Sequence, residues 1–180
     1  MSDFPRPVRA RKADRQAMLR VDQAGEYGAK RIYAGQLAVM GNRHASSGEI
    51  ARMAAQEDVH LAAFDRLVAE RCVRPTLLMP LWHVAGFALG AASALVGPKA
   101  AMAVTAAVET EIDRHYQAQR DALAGDDPEL EGMIAQFQAE EVEHRDSAIA
   151  HGAEQAPAYP LMSALVRAGC RAAIRVAEKI

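Results

Sequence analysis

The chain has 180 residues, which suits one domain with a hydrophobic core of its own. Hydrophobic residues make up 51% of the chain but aromatic residues only 5%, a balance that favours helices over sheet. The formal net charge of -2 argues against a nucleic-acid-binding protein, and two distant cysteines, Cys72 and Cys170, indicate reduced thiols rather than a disulfide framework.

The first residues form a basic segment that precedes the helical pattern. Arg6, Arg9, Arg11 and Lys12 supply its charge, and no apolar run follows them, so we expect no secretory signal. We predict that residues 1–12 are a flexible tail and that residues 13–180 form a single domain. A remnant of an organelle transit peptide and a basic arm against anionic lipid are the alternatives for the tail.

Periodic apolar residues, interrupted by glycine and proline, divide the remaining chain into six predicted helices. Ser46 or Ser47 is the expected cap of the second helix, and the turn before Pro128 is the expected cap of the fifth. The predicted helices are residues 13–41, 47–73, 80–96, 98–124, 128–151 and 160–180. Helices one and two form one long hairpin and helices four and five another, as in a quasi-repeat.

Two of these helices carry a Glu-x-x-His motif where a packed bundle should have apolar residues. The motifs are Glu57 with His60 on the second helix and Glu141 with His144 on the fifth. Side chains three positions apart leave one face of a helix, so a single metal ion can contact both members of a motif.

Helices one and four each add one glutamate among small or apolar neighbours, Glu26 and Glu109. Glu57 follows Glu26 by 31 positions and Glu141 follows Glu109 by 32, so the two hairpins present the same set in nearly the same register. A lone motif would usually indicate a solvated ion pair, but this matched arrangement is the ligand pattern of ferritin-like di-iron proteins. The sequence therefore predicts a buried metal centre.

The residue types favour iron. Four carboxylates neutralise two Fe(II) ions in a dry interior, and oxygen ligands with one imidazole per metal leave positions open for dioxygen. The lack of thiolates argues against a structural zinc site.

Three further residues are weaker candidates. Asp22 and Glu140 either orient a ligand histidine from outside the metal site or lie at the surface. Tyr116, seven positions after Glu109, either borders a substrate pocket or is an ordinary buried tyrosine.

The third and last helices form an apolar surface that a four-helix bundle does not need. Residues 81–96 contain no charged side chain, and Gly86 and Gly90 form a small-xxx-small pattern suited to close helix packing. The third helix is shorter than the ~20 residues that span a bilayer. The last helix alternates apolar residues with basic ones, which is typical of helices that lie on membrane surfaces. We expect both helices to dock on a membrane; burial of the third in the core is the alternative.

Several motifs along the chain closely resemble the demethoxyubiquinone hydroxylases of ubiquinone biosynthesis. The longest is the LRVDQAGEYGAKRIYAGQ segment at 19–36, and the others lie at 56–61, 107–109, 115–116, 140–144, 156–159 and 168–174. The resemblance covers nearly the whole chain after the first dozen residues. It implies an all-α, ferritin-like four-helix bundle with two additional apolar or amphipathic helices.

The resemblance also implies a function, a monooxygenase that hydroxylates the ring of a demethoxyubiquinone. The resemblance implies that the ligands of two Fe ions in this chain are Glu26, Glu57, His60, Glu109, Glu141 and His144. NADH is the implied electron donor, and Tyr116 is similar to a tyrosine implicated in the relay of electrons. The polyprenyl tail of the quinone is expected between the third and last helices.

Partners and location follow from the same resemblance. We expect a peripheral protein on the cytoplasmic face of a bacterial inner membrane, or on the matrix side of the mitochondrial inner membrane in a eukaryote. A lipid-binding partner protein and a homo-oligomer are left open. Two other functions compete: an iron-storage or peroxide-scavenging bundle with the same ligands, and a non-catalytic membrane adaptor whose motifs are ion pairs.

Overall fold

A computed structural model of the chain describes residues 12–42 and 44–180, and every regular element in these ranges is helical. The predicted all-α class is confirmed, as are the six helices, with ends that differ from the predicted ones by three residues or fewer. The predicted tail lies outside the described residues except for Lys12, where the first helix begins. The helices are α1 (Lys12–Met40), α2 (Ser47–Glu70), α3 (Met79–Val96), α4 (Pro98–Leu123), α5 (Pro128–Ala150) and α6 (Tyr159–Ala177).

The helix ends follow the sequence signals with one exception. Pro98 opens α4 after Gly97, whose φ of 142° is a conformation that glycine adopts without strain. Asp127 caps α5 by accepting a 3.2 Å hydrogen bond from the backbone N–H of Leu130. Ser46 precedes α2 but its side chain makes no capping hydrogen bond, because its backbone (φ -80°, ψ -9°) is already helical.

The six helices are arranged on both sides of a central pair. The hairpins α1–α2 and α4–α5 form the ferritin-like bundle, while α3 packs mainly on α1 and α6 mainly on α4. All residues of α4 from Ala100 to Glu109 are buried, as expected for a helix covered on more than one side. Thus α1 and α4 separate the bundle interior from the two additional helices.

The contact between α1 and α3 depends on glycines. A Cβ atom on Gly90 would lie 1.9 Å from the carbonyl oxygen of Ile32, and one on Gly35 would lie 2.2 Å from that of Phe87. A Cβ atom on Gly86 would also come within 2.9 Å of α1. The close-packing face predicted at Gly86 and Gly90 is therefore confirmed.

An ion-pair cluster and a half-buried apolar stripe together fix α6, and the stripe includes Met162, Val166 and Cys170, which pack against the core. Ala177 is the one buried residue of α6. Its partner helix α4 places the buried carboxylate of Glu111 where it accepts hydrogen bonds from Arg167 at 2.6 Å and Arg171 at 2.8 Å. Such charge-assisted bonds hold the helix in place while Leu161 stays exposed.

Enlarging one glycine tests the importance of the α1–α3 contact. We expect Gly90→Ala to lower the free energy of unfolding by about 1–3 kcal/mol, since the added methyl group meets backbone that cannot rotate away. The matched control is Gly132→Ala on α5, where a Cβ meets nothing within 4 Å and helix propensity should raise stability by up to about 1 kcal/mol. Denaturant unfolding measures both; equal stability of the two variants would contradict the packing argument.

Candidate metal centre

All six predicted ligands meet inside the four-helix bundle, and each is exposed by 3% or less. α1 supplies one glutamate, α4 another, and α2 and α5 supply one Glu-x-x-His motif each. Their ligand atoms form two overlapping groups, within each of which all atoms lie within 4.8 Å of one another. The groups are Glu26, Glu57, His60 and Glu141, and Glu57, Glu109, Glu141 and His144.

Two carboxylates are shared by both groups. Glu141 directs one oxygen to within 3.0 Å of Nδ1 of His60 and the other to within 3.0 Å of Nδ1 of His144. Glu57 belongs to both groups as well, with Oε1 3.3 Å from Nδ1 of His144. Glu57 and Glu141 are therefore placed to bridge two cations, while Glu26 and Glu109 each serve one.

The hydrogen bonding of these residues is incomplete in a way that suits cations. Buried ligand atoms without a hydrogen-bond partner are Oε2 of Glu26, both side-chain oxygens of Glu57, Nδ1 of His60, Oε2 of Glu109 and Oε1 of Glu141. Leaving such atoms unpaired is costly, and native proteins rarely do so. Two divalent cations would satisfy them, and the oxygen-rich donor set with one imidazole per position suits iron.

The electrostatics of the cluster point the same way. Burial, followed by repulsion from neighbouring carboxylates, raises the pKa of Glu57 and of Glu109 well above the usual range. Burial alone would lower the pKa of His60, but the close carboxylates of Glu141 and Glu26 raise it to about 11. The site thus attracts positive charge strongly, whether from protons or from metal ions.

A tyrosine supports each of the two unshared glutamates. The hydroxyl of Tyr116 on α4 donates to Oε1 of Glu26, and the hydroxyl of Tyr33 on α1 donates to Oε1 of Glu109 at 2.7 Å. Tyr33 was missed in the sequence, although it follows Glu26 by seven positions just as Tyr116 follows Glu109. Tyr116 lies against a ligand carboxylate and not among the residues that line the apolar cavity described below.

Each ligand histidine has an outer partner from the opposite motif. Oε2 of Glu140 lies 2.6 Å from Nε2 of His60, and Oε1 of Gln56 lies 3.0 Å from Nε2 of His144. These acceptors favour the tautomer with the proton on Nε2, which leaves Nδ1 free to bind a metal. The predicted orienting role of Glu140 agrees with this geometry, and Gln56 is a partner that sequence analysis missed.

Both alternatives for Asp22 are wrong, because its side chain is buried and its contacts are with residues other than the ligand histidines. Its Oδ1 accepts a hydrogen bond from Nε2 of Gln119 at 2.7 Å and lies 3.1 Å from Nε2 of His115. Asp22 lies one turn before Glu26 on α1, beyond the level of the ligand histidines. It therefore faces the C-terminal half of α4 instead.

On the other side of α1 and α4 lies an apolar cavity of about 440 Å³, bounded on its outer side by α3 and α6. Representative wall residues are Ile32, Trp82, Leu89, Val108, Val166 and Cys170. Burial raises the pKa of the Cys170 thiol to about 12, so it is protonated at neutral pH. A gap too narrow to hold a water molecule shares Ile32 and Val108 with the cavity and also borders Tyr33 and the cluster residue Glu109.

Comparison with known proteins identifies relatives along almost the whole chain. The family model for the ubiquinone biosynthesis protein COQ7 matches residues 13–177. A 3-demethoxyubiquinol 3-hydroxylase of Rhodospirillum rubrum is 59% identical over 162 residues, covering 90% of this chain and 76% of the relative. The human mitochondrial NADPH-dependent 3-demethoxyubiquinone 3-hydroxylase is 50% identical, covering 91% of this chain and 76% of the relative. The yeast mitochondrial 5-demethoxyubiquinone hydroxylase is 39% identical, covering 91% of this chain and 77% of the relative.

Removing one shared carboxylate should separate metal binding from stability. We expect Glu57→Leu to abolish Fe(II) binding yet to raise the unfolding free energy of chelator-treated protein by about 1–3 kcal/mol, because two buried, unpartnered oxygens are removed. The neighbouring, exposed Asp58→Asn is the control and should change neither property. Thermal unfolding with and without Fe(II) checks both; a Glu57→Leu protein still stabilised by Fe(II) would refute the bridging role.

Proposed function

This chain belongs to the family of the ubiquinone biosynthesis protein COQ7, as its motifs predicted, and from that membership we propose that it is a di-iron monooxygenase that hydroxylates the ring of a membrane-held demethoxyubiquinone. One observation carries the proposal: a buried carboxylate–histidine cluster and an apolar cavity lie on opposite sides of the same two helices. The relatives named above are hydroxylases of this substrate class.

Iron is the metal that, bound in this cluster, would best account for a hydroxylation reaction. Glu26 and His60 would serve one ion and Glu109 and His144 the other, with Glu57 and Glu141 between them. The bound irons would supply the redox chemistry that activates dioxygen, which carboxylate-rich sites with open positions support. The reaction inserts one oxygen atom into a ring C–H bond and reduces the other to water, consuming two electrons and two protons.

The protein's other residues would hold the ligand side chains in position and exclude water from the cluster. Tyr33 and Tyr116 hold the unshared glutamates through their hydroxyl groups, and Gln56 and Glu140 hold the histidine rings. Because these partners fix the ligands before any substrate arrives, little reorganisation is left for the reaction itself. The complete burial of the cluster keeps bulk water away from reactive oxygen.

The apolar cavity is the proposed quinone site. Its walls offer almost no polar group, which matches a quinone ring bearing a polyprenyl tail, and its volume is within the range of small-molecule sites. The cavity reaches the surface at Leu165, which is 65% exposed. The tail would therefore leave between α3 and α6, as expected from the sequence.

The electrons are proposed to come from a reduced nicotinamide, with Tyr116 as a participant in their transfer. The sequence resemblance implies NADH, whereas the human relative is named NADPH-dependent. The donor preference of this chain therefore needs a direct comparison of NADH with NADPH.

A membrane surface is the proposed location of the enzyme. By length and composition α3 could also cross a membrane, and 22% of it is buried in the protein. Its close backbone contact with α1 supports a helix that lies along the bundle with its outer face in lipid. Large apolar side chains are exposed on both α3 and α6, among them Leu81, Val84 and Leu161.

The same ligands would also serve an iron-storage or peroxide-scavenging bundle. That alternative gives no reason for a 440 Å³ apolar cavity beside the cluster or for apolar side chains on the outer helices. A non-catalytic adaptor accounts even less well for a buried cluster of six such residues, five of which have unpaired atoms. The hydroxylase accounts for the cluster, the cavity and the exposed apolar surface together.

The decisive experiment blocks the cavity without touching the ligands. Fe(II)-loaded protein receives a demethoxyubiquinone, ¹⁸O₂ and either NADH or NADPH, and product is analysed by mass spectrometry. We expect one ¹⁸O atom in the hydroxylated quinone from the parent protein. Gly169→Leu should reduce kcat/KM by about 10-fold or more, since its side chain would occupy open space in the cavity wall.

Iron binding and a neighbouring variant serve as controls. Gly169→Leu should bind iron normally, and Ala172→Leu, at an exposed position of α6 outside the cavity, should keep normal turnover. Bound iron without labelled product under either nicotinamide would favour the storage or scavenging function.

The membrane surface is tested by vesicle binding. We expect the triple variant Leu81→Ser, Val84→Ser, Leu161→Ser to lose most of its co-sedimentation with anionic phospholipid vesicles, because the exposed apolar side chains of α3 and α6 are removed. Val59→Ser on α2, where the valine is 63% exposed, should bind like the parent protein. Unchanged binding of the triple variant would rule out docking through this surface.

A further inference from the structure

The ligand cluster has two halves, one with Glu26 and His60 and the other with Glu109 and His144. The halves differ in the group that contacts Nε2 of the histidine. His60 contacts the carboxylate of Glu140 at 2.6 Å, whereas His144 contacts the amide oxygen of Gln56 at 3.0 Å. The same amide oxygen also accepts a hydrogen bond from the guanidinium group of Arg52. An anion therefore supports one histidine, and a neutral group beside the Arg52–Glu49 ion pair supports the other.

Other contacts of the two halves are closely matched. Each unshared glutamate accepts a hydrogen bond from one buried tyrosine, Tyr116 for Glu26 and Tyr33 for Glu109. Each half includes one histidine and one unshared glutamate, and both use Glu57 and Glu141. The groups that contact the histidines from outside are thus a chemical difference between two positions whose predicted ligand sets match.

The apolar cavity distinguishes the two halves a second time. The narrow gap that adjoins it is bordered by Tyr33 and Glu109, and neither Glu26 nor Tyr116 borders it. The Glu109 half therefore lies nearer to the space proposed for the quinone ring.

We propose that the two metal positions are unequal: the Glu26–His60 position binds metal more tightly, and the Glu109–His144 position is weaker and faces the substrate. The inference rests on the proposed function, in which the cluster holds two irons. A carboxylate acceptor makes an imidazole a stronger ligand and adds negative charge near the metal, and losing such a partner typically costs about 10–100-fold in affinity. Gln56 provides neither effect, so the substrate meets the metal that is held less firmly.

The test is equilibrium binding of Fe(II) alone to the full-length protein under anaerobic, metal-buffered conditions. The parent protein should bind two irons in two steps separated by about 10-fold or more. Glu140→Gln should weaken the tighter step until the two steps merge, and Gln56→Glu should tighten the weaker step. Glu143→Gln removes an exposed carboxylate from the same helix and should leave both steps unchanged.

A short-tailed ubiquinone then tests which position faces the substrate. Saturating quinone should shift the weaker step and leave the tighter one in place, because binding at neighbouring sites is reciprocal. Two equal steps in the parent protein, a Glu140→Gln effect confined to the weaker step, or a quinone effect confined to the tighter step would each overturn the inference while leaving the di-iron function intact. No bound iron at all would overturn the di-iron function with it.

Discussion

Burying four carboxylates at one level of a helical bundle is the constraint on which the rest of this structure depends. Glu26, Glu57, Glu109 and Glu141 repel one another in a medium that screens poorly, so the cluster exists only where cations or protons offset the repulsion. Correct ligand geometry requires four helices to hold the same register. The long α1–α2 and α4–α5 hairpins meet that requirement, because each fixes the level of one glutamate against one Glu-x-x-His motif.

The second constraint is that α1 and α4 must each contact other helices on two opposite faces. Towards the bundle they carry ligands and the two supporting tyrosines, and towards α3 and α6 they carry small and apolar residues. Gly35, Gly86 and Gly90 let α3 approach the backbone of α1, while Glu111 holds the arginines of α6. The additional helices are therefore fixed to the outside of the bundle by contacts that leave an apolar space between them.

Much of this arrangement could be predicted from the sequence because the ligands repeat in register. A Glu-x-x-His motif defines its own helix face, and the 31- and 32-residue spacings place both motifs at the same level, so the six residues that meet in the cluster could all be predicted. What sequence spacing does not reveal is which helix stands opposite. For that reason neither alternative for Asp22, a ligand histidine or the surface, was right, and the sequence showed neither which histidine Glu140 contacts nor the role of Gln56. Tyr33 was within reach, since its seven-residue offset from Glu26 repeats that of Tyr116 from Glu109.

Placing the cavity outside the bundle solves a problem that an oxygenase with an apolar substrate faces. A quinone that entered through the bundle interior would have to pass carboxylates, and water could follow it. In the proposed function, with α1 and α4 as a shared wall, the ring would approach through apolar surroundings and come nearest to the cluster beside Glu109. The cavity is bounded by α3 and α6, which carry exposed large apolar side chains, so in the proposed function a tail too long for 440 Å³ would extend towards lipid. In the proposed function, access to the substrate and attachment to the membrane are therefore one property of α3 and α6, and a change that detached these helices from lipid would also separate the cavity from the source of its substrate.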